Sequence, residues 1–477
     1  MPRTATITAA MKPITLLSAV DQLGLLRAGT ISPRELAEEH IRQIERMNSS
    51  LNVFADFDAE RVREQAKAAE KVTMRGPLFG LPMTIKSSIS TAGHRCEIGS
   101  LIHQGNVASE DAVAVAQLRQ AGALILGTTN CPELLMAYET DNQLYGRTAN
   151  PWDLHRTAGG SSGGESAAIA AGLSAAGIGS DSGGSVRVPA HFTGICSLKP
   201  TPGRLSSWGH LPPCVGPFSS LGSIGPMART IADVALLFQV LSESGEADIL
   251  GAPVSRRALS REELKKISIG YFEDDGIVPA TTETRQALQS AVTALQRQGF
   301  RVQPFRPQGL EEARNLWWKF FVQCGEMFYA STIAGHEEKL SATFLDYLAI
   351  AHSRPRLFAQ ELLEAWAETD LLRHRVEGEM KKFPILLSPA CSIPAFRHGE
   401  RAWTVEGQRV EYFDVMRYTQ WFNLLAMPAA VVPVGRSQEG LPIGVQIAGR
   451  AYADEIVLGI AAAIEQDFGF VAPPMAG

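Results

Sequence analysis

The chain has little of what marks the specialised protein classes. Its six cysteines (Cys96, Cys131, Cys196, Cys214, Cys324 and Cys391) are scattered over 477 residues with no C-x-x-C pair. That excludes a disulfide framework and a paired-cysteine zinc pattern, and leaves reduced, mostly buried thiols. H-E-x-x-H is missing, as is any His/Cys pair at ligand spacing, so no metal is expected, and His94 and His103 read as loop or core residues. G-x-x-x-x-G-K-[ST] is also missing, so no nucleotide cofactor is expected. The stretch MPRTATITAAMKPITLLSAVDQLG lacks the apolar core of a signal peptide. No run reaches the roughly 18 apolar residues of a membrane span. A cytoplasmic location is the expectation. Nor is there an excess of positive charge: a net charge of -6 argues against a general nucleic-acid binder.

What is present is an ordinary globular composition, 45% hydrophobic and 20% charged, in a chain long enough to bury a large core. Ser32-Pro33-Arg34-Glu35 supplies a cap, a proline at the first helical position and a capping-box glutamate. Leu36, His40, Ile41 and Ile44 continue at helical spacing. Helices are also predicted over 59–71, 111–122, 165–173, 231–241, 282–298, 310–380 and 454–465. Strands are predicted over 81–85, 123–126, 267–271, 301–305, 385–387, 429–434 and 442–448. Residues 142–155 and the Pro/Gly/Ser-rich 200–229 read as loop, and a composition shift at 250–262 as a linker. Strands alternating with helices give an α/β architecture.

The densest chemistry lies between Gly159 and Thr201. Two Gly-rich turns, Gly159-Gly160-Ser161-Ser162-Gly163-Gly164 and Gly183-Gly184-Ser185, flank a small-residue segment. Glycine lets backbone N–H groups approach another atom closely. Successive N–H groups in such a turn form an anion nest. Acyl transfer needs a nucleophile, a base and donors for an oxyanion. Ser185 and Ser161 supply hydroxyls. Lys86, after an apolar strand, supplies a base if burial lowers its pKa.

These motifs resemble the amidase signature family. The second part reads Gly179-Ser180-Asp181-Ser182-Gly183-Gly184-Ser185-Val186-Arg187-Val188-Pro189-Ala190, then Gly194 and Lys199-Pro200-Thr201. Gly80-Leu81-Pro82-Met83-Thr84-Ile85-Lys86 looks like the family's lysine-bearing strand. Gly440 to Gly449 looks like its C-terminal strand. The resemblance covers about 20–240 and 385–465. It implies a single domain over 1–477, a large twisted mixed sheet covered by helices on both faces (α/β/α). That domain would have a helical N-terminal part at about 14–72, a core at about 75–245 and a helical cap at about 310–380.

The resemblance also implies roles. Ser185 would be the nucleophile, Ser161 a relay after a cis Gly160–Ser161 bond, and Lys86 the base. The N–H groups of Ser182, Gly183, Gly184 and Ser185 would form the oxyanion hole, with Ser162, Asp181 and Arg187 holding the turns. The implied reaction is hydrolysis of a small carboxylic amide, ester or carbamate through an acyl-enzyme, without cofactor. The partner is a small-molecule substrate, and the chain acts as a monomer or homodimer. Met136, Trp317, Trp318 and Phe321 are candidates for the substrate pocket, although an aromatic cluster also reads as helix core.

Two alternatives stay open. One is the glutaminase-type subunit of a tRNA-dependent amidotransferase. Many family members carry Lys-Asp-Asn where this chain has Lys86-Ser87-Ser88, which weakens that match. The other is an α/β-hydrolase-like esterase using Ser161 in G-x-S-x-G. It needs a preceding strand and a histidine, for which only His374 and His398 offer themselves.

Overall fold

The computed structural model describes residues 13–242, 251, 254, 255, 257 and 259–476. Among the described residues eleven strands form one mixed sheet. They are β1 (Phe54–Phe57), β2 (Pro82–Lys86), β3 (Leu124–Thr129), β4 (Ala176–Asp181), β5 (Cys196–Lys199) and β6 (Ser223–Ala228), followed by β7 (Ser268–Tyr271), β8 (Arg301–Pro304), β9 (Ile385–Pro389), β10 (Ala429–Arg436) and β11 (Pro442–Gly449). Their spatial order is β1-β3-β2-β4-β6-β5-β10-β11-β9-β7-β8. β2 runs parallel to β3 and β4, and β7 parallel to β8 and β9. From β4 through β6, β5, β10, β11 and β9 each neighbour is antiparallel.

Strands β2, β3 and β4 are buried along their whole length, as a sheet covered on both faces requires. Apolar residues of helices Ile231–Leu241, Thr282–Arg297 and Asp454–Phe468 share one core with the sheet. The short helix Gly163–Ala170 is buried at every position, which its glycines, alanines and serine allow. Helices Leu310–Trp317, Ala342–His352, Ala359–Glu379 and Arg417–Leu424 build a second, aromatic-rich core. The expected start at Ser32 holds: Ser32 and Glu35 form a reciprocal capping box with Pro33 at the first position.

Three readings of the sequence need correction. Residues 200–229 are not all loop, because β6 sits inside them, in the sheet between β4 and β5. Residues 142–155 include a small ribbon, Ala149–Asn150 with Asp153–Thr157. No strand is predicted where β1, β4 and β5 form, nor at a hairpin, Ala402–Val405 with Gln408–Glu411. Of the linker at 250–262, positions 250, 252, 253, 256 and 258 lie outside the described residues; its end is a Ser260-capped helix, Arg261–Lys265. Among the described residues no helix is long and apolar enough to cross a membrane.

Candidate active site

Lys86 ends β2 at the carboxyl edge of the parallel part of the sheet, where open α/β sheets bind ligands. It is fully buried. Its Nζ lies 2.7 Å from Ser161 Oγ and 3.1 Å from Ser180 Oγ. Ser161 follows a cis Gly160–Ser161 peptide bond. Burial pulls the lysine down from 10.5 to about 8, against the opposing charges of Cys131, Asp181, Cys214 and Glu165. Behind it, burial pushes Glu165 up to about 8, opposed by hydrogen bonds from Thr84 and Thr129 and by the Lys86 charge. An amine held near pH 8 has an appreciable neutral fraction under physiological conditions and can accept a proton.

The second turn leaves β4 after Asp181. Asp181 and Arg187 form a fully buried ion pair. Burial alone would raise Asp181, but the charge and hydrogen bonds of Arg187 outweigh it and hold the carboxyl well below the carboxylate range. Arg187 also donates to the Thr419 carbonyl at 3.0 Å and to Gln446 Oε1 at 2.7 Å, while Asn423 Nδ2 donates to Asp181 Oδ1 at 2.9 Å. These contacts tie the turn to β11 and to helix Arg417–Leu424. Ser162 joins the two turns: its N–H donates to the Ser185 carbonyl at 3.1 Å.

The turn's peptide planes are held from outside. Trp317 Nε1 donates to the Ser182 carbonyl at 2.8 Å. Tyr138 and Thr419 hydroxyls donate to the Gly183 carbonyl at 2.8 and 2.7 Å. The N–H of each following residue points the opposite way, because C=O and N–H are antiparallel across a trans peptide. Gly184 sits at φ +123°, and a side chain there would strike Thr419. The N–H groups of Ser182, Gly183 and Ser185 have no acceptor among the described residues. The Gly184 N–H does have one: it donates to Asp181 Oδ1 at 2.8 Å. Of the four N–H groups expected to meet an oxyanion, that of Gly184 is therefore already taken by a carboxylate.

Ser161, Ser180, Ser182 and Ser185 border one small cavity of about 40 Å³, walled by Leu135, Met136, Pro212, Pro213, Cys214, Phe218, Phe321, Tyr329 and His210. A groove of about 560 Å³ adjoins it and shares His210, Pro213 and Cys214, with the exposed Trp208 at its side. Of the four pocket candidates, Met136 and Phe321 face the cavity. Trp317 stacks behind Phe321, with centroids 4.6 Å apart and planes at 13°. It supports the wall and the turn rather than lining the space. Trp318 faces a different cavity with Arg314 and Arg354, because a π-helical turn at Trp318–Gln323 follows it and neighbouring helix positions point about 100° apart.

A strand, Asp153–Thr157, does precede the Ser161 turn, contrary to the sequence reading, but it belongs to the small ribbon. Among the described residues no histidine hydrogen-bonds to the Ser161 side chain; its side-chain partner is Lys86. Sequence reasoning does not single out Glu165, Ser180, His210, Tyr138, Thr419 or Asn423 for this site. Ser180 alone carries a signal, standing inside the Gly179–Ser185 motif.

This fold and cluster define a class, and comparison with known proteins identifies it: the chain belongs to the amidase signature family, whose Amidase family model matches residues 35–458. It is 32% identical over 96% of its length to an indoleacetamide hydrolase of Bradyrhizobium diazoefficiens, 88% of which is covered. To an acylamidase of Rhodococcus erythropolis it is 33% identical over 94% of the chain and 95% of the relative. A glutamyl-tRNA(Gln) amidotransferase subunit of Roseiflexus castenholzii is 32% identical, over 96% of each. The solved structure of a 6-aminohexanoate cyclic dimer hydrolase with its substrate superimposes with a TM-score of 0.85 at 26% identity, covering 97% of this chain and 100% of that one. The protein is an enzyme that hydrolyses amide C–N bonds.

Proposed function

We propose that the enzyme cleaves small, hydrophobic carboxylic amides by a Ser185–Ser161–Lys86 relay, acting as a free-standing amidase. The observation that carries the reading is the buried Lys86 Nζ, 2.7 Å from Ser161 Oγ, with Ser161 and Ser185 on one cavity. Neutral Lys86 takes the Ser161 proton as Ser161 takes that of Ser185, and Ser185 Oγ bonds to the amide carbon. The oxygen, now negative, is met by the N–H groups of Gly183 and Ser185, with Ser182 beside them. The proton returns through Ser161 to the nitrogen, the C–N bond breaks, and the amine leaves an acyl-Ser185. Water attacks that ester with the same relay as base, releasing the acid.

The wall of Leu135, Met136, Phe218 and Phe321 favours an apolar substituent near the scissile bond. The small inner volume directs the larger half of the substrate into the adjoining groove past Trp208. An indoleacetamide-like or other acyl amide suits a small apolar cavity that opens on a groove, in keeping with the names of two of the relatives. The similarity to the glutamyl-tRNA(Gln) amidotransferase protein supports a second reading, a glutaminase subunit that needs partners.

The test is release of p-nitroaniline from a short acyl anilide by the chain alone. Wild type is expected to be active, and Ser185→Ala and Lys86→Ala to lose at least about 100-fold. A wild type inert on anilides, amides and esters favours the partner-dependent reading. Activity surviving in Ser185→Ala overturns the relay.

A further inference from the structure

Ser180, next to last in β4, stands between two nitrogen bases. Its Oγ is 3.1 Å from Lys86 Nζ and 2.8 Å from His210 Nε2. His210 lies on the Pro-rich loop between β5 and β6, and its other ring nitrogen, Nδ1, is 2.7 Å from the Pro212 carbonyl oxygen. A carbonyl only accepts, so Nδ1 carries the hydrogen. Nε2 of the neutral ring is then a bare lone pair. The Ser180 hydroxyl is its nearest donor, with Ser88 Oγ farther away at 3.2 Å. With its hydrogen turned to His210, Ser180 can offer Lys86 only lone pairs. Lys86 must donate to Ser180, and the lone pair of its neutral amine is left for Ser161, its other hydrogen-bonding neighbour at 2.7 Å.

We propose that His210 is a positioning residue for the reaction: through Ser180 it fixes the direction of the Lys86 lone pair toward Ser161. The inference rests on the Ser185–Ser161–Lys86 reading and adds to it a residue outside the resembling motifs. Burial lowers His210 to about 4, against the Pro212 hydrogen bond and with help from the Lys86 charge, so the ring stays neutral wherever Lys86 works. The charged and titratable groups facing Lys86 are Glu165, Asp181, Cys131 and Cys214. Those facing His210 are Lys86 and Cys214, whose Sγ is 3.6 Å from Nδ1. Of these, only the neutral Lys86 amine competes with His210 as an acceptor for the Ser180 hydroxyl, and it lies farther away, at 3.1 Å against 2.8 Å.

The experiment compares the pH profiles of kcat/KM for wild type, His210→Leu and His210→Gln on the acyl anilide. In His210→Leu the Ser180 hydroxyl is free to donate to the neutral amine. That stabilises the amine and occupies its lone pair. The plateau should fall about 10- to 100-fold while the acid limb moves to lower pH, with KM within about twofold. Gln presents an amide oxygen to Ser180 and should restore the plateau to within about fivefold of wild type. Loss confined to KM, an unmoved acid limb, or Gln no better than Leu would overturn the proposal.

A second measurement does not need turnover. Long-range ¹H–¹⁵N NMR of histidine-labelled wild type, with the signal assigned by its loss in His210→Gln, should show the Nδ1–H tautomer between about pH 6 and 9. The Nε2–H tautomer would overturn the proposal. An inactive wild type, or an active Ser185→Ala, defeats the relay reading instead and leaves the tautomer to decide the orientation of Ser180.

Discussion

Replacing Lys86 by Met should produce an enzyme that is dead and, at neutral pH, more stable. The lysine titrates at about 8 in the fold and 10.5 in the unfolded chain. At pH 7 about 9% of it is neutral, against about 0.03% for an unperturbed lysine, a gain of about 300-fold in available base. The wild-type rate should therefore climb about tenfold between pH 7 and pH 9 and then level off. The same shift weakens the fold. Because the folded pKa is the lower one, the cost is fully present below about pH 8, shrinks as pH rises, and vanishes above 10.5, where both states are neutral. Its size is about 3 kcal/mol, and no exposure discounts it, since the side chain is fully buried. Met fills similar space but leaves Ser161 and Ser180 each without one partner, returning about 1 kcal/mol apiece. The net expectation is a gain of about 1–2 kcal/mol at pH 7, read as a higher urea midpoint, that closes near about pH 9 and turns into a loss above it. The rate is read from p-nitroaniline release. A rate flat between pH 7 and 9, or a Lys86→Met protein less stable than wild type at pH 7, would refute the claim that burial sets this lysine's charge.

Trp317→Phe keeps a ring against Phe321 but removes the donor to the Ser182 carbonyl. It should lower kcat about tenfold with KM little changed, and reduce unfolding free energy by about 1–3 kcal/mol. Asp181→Asn leaves Arg187 buried without its charge partner, so a loss of about 3–5 kcal/mol is expected in urea denaturation. Phe321→Ala opens the cavity wall; the ratio of kcat/KM for a bulky acyl anilide over acetanilide should rise about tenfold, measured on matched substrates.

The lysine-bearing strand and the two serine turns are legible because each depends on local residues, whereas Asp181 and Arg187 enter through the family resemblance and their pairing does not show in the sequence. Ser32, Pro33 and Glu35 announce a helix wherever they occur in that order. The central strands are harder. β4 reads Ala-Gly-Ile-Gly-Ser-Asp and β6 Ser-Ile-Gly-Pro-Met-Ala, both poor in the β-branched and aromatic residues that signal a strand. Their small residues answer a packing demand from elsewhere: a side chain at Gly177 would collide with Glu165, and one at Gly179 with Ser162. Such constraints join residues far apart in sequence and leave no local trace. His210 is hidden for the same reason, since only the fold brings a loop residue beside a hydroxyl 30 positions upstream. Trp317 stands out in the sequence for its ring, but it acts through its N–H.

The turn carrying Ser185 is oriented by Trp317, by Thr419 and by Asn423. During synthesis, then, a ribosome that has just released Ser185 still has more than two hundred residues to add before the turn can be set. Until Asn423 emerges, the nascent chain holds all three members of the relay and lacks part of the framework that shapes them. Hydrolytic power waits on residues made long after the nucleophile, and fragments that stop short of Asn423 should be harmless to the amides around them.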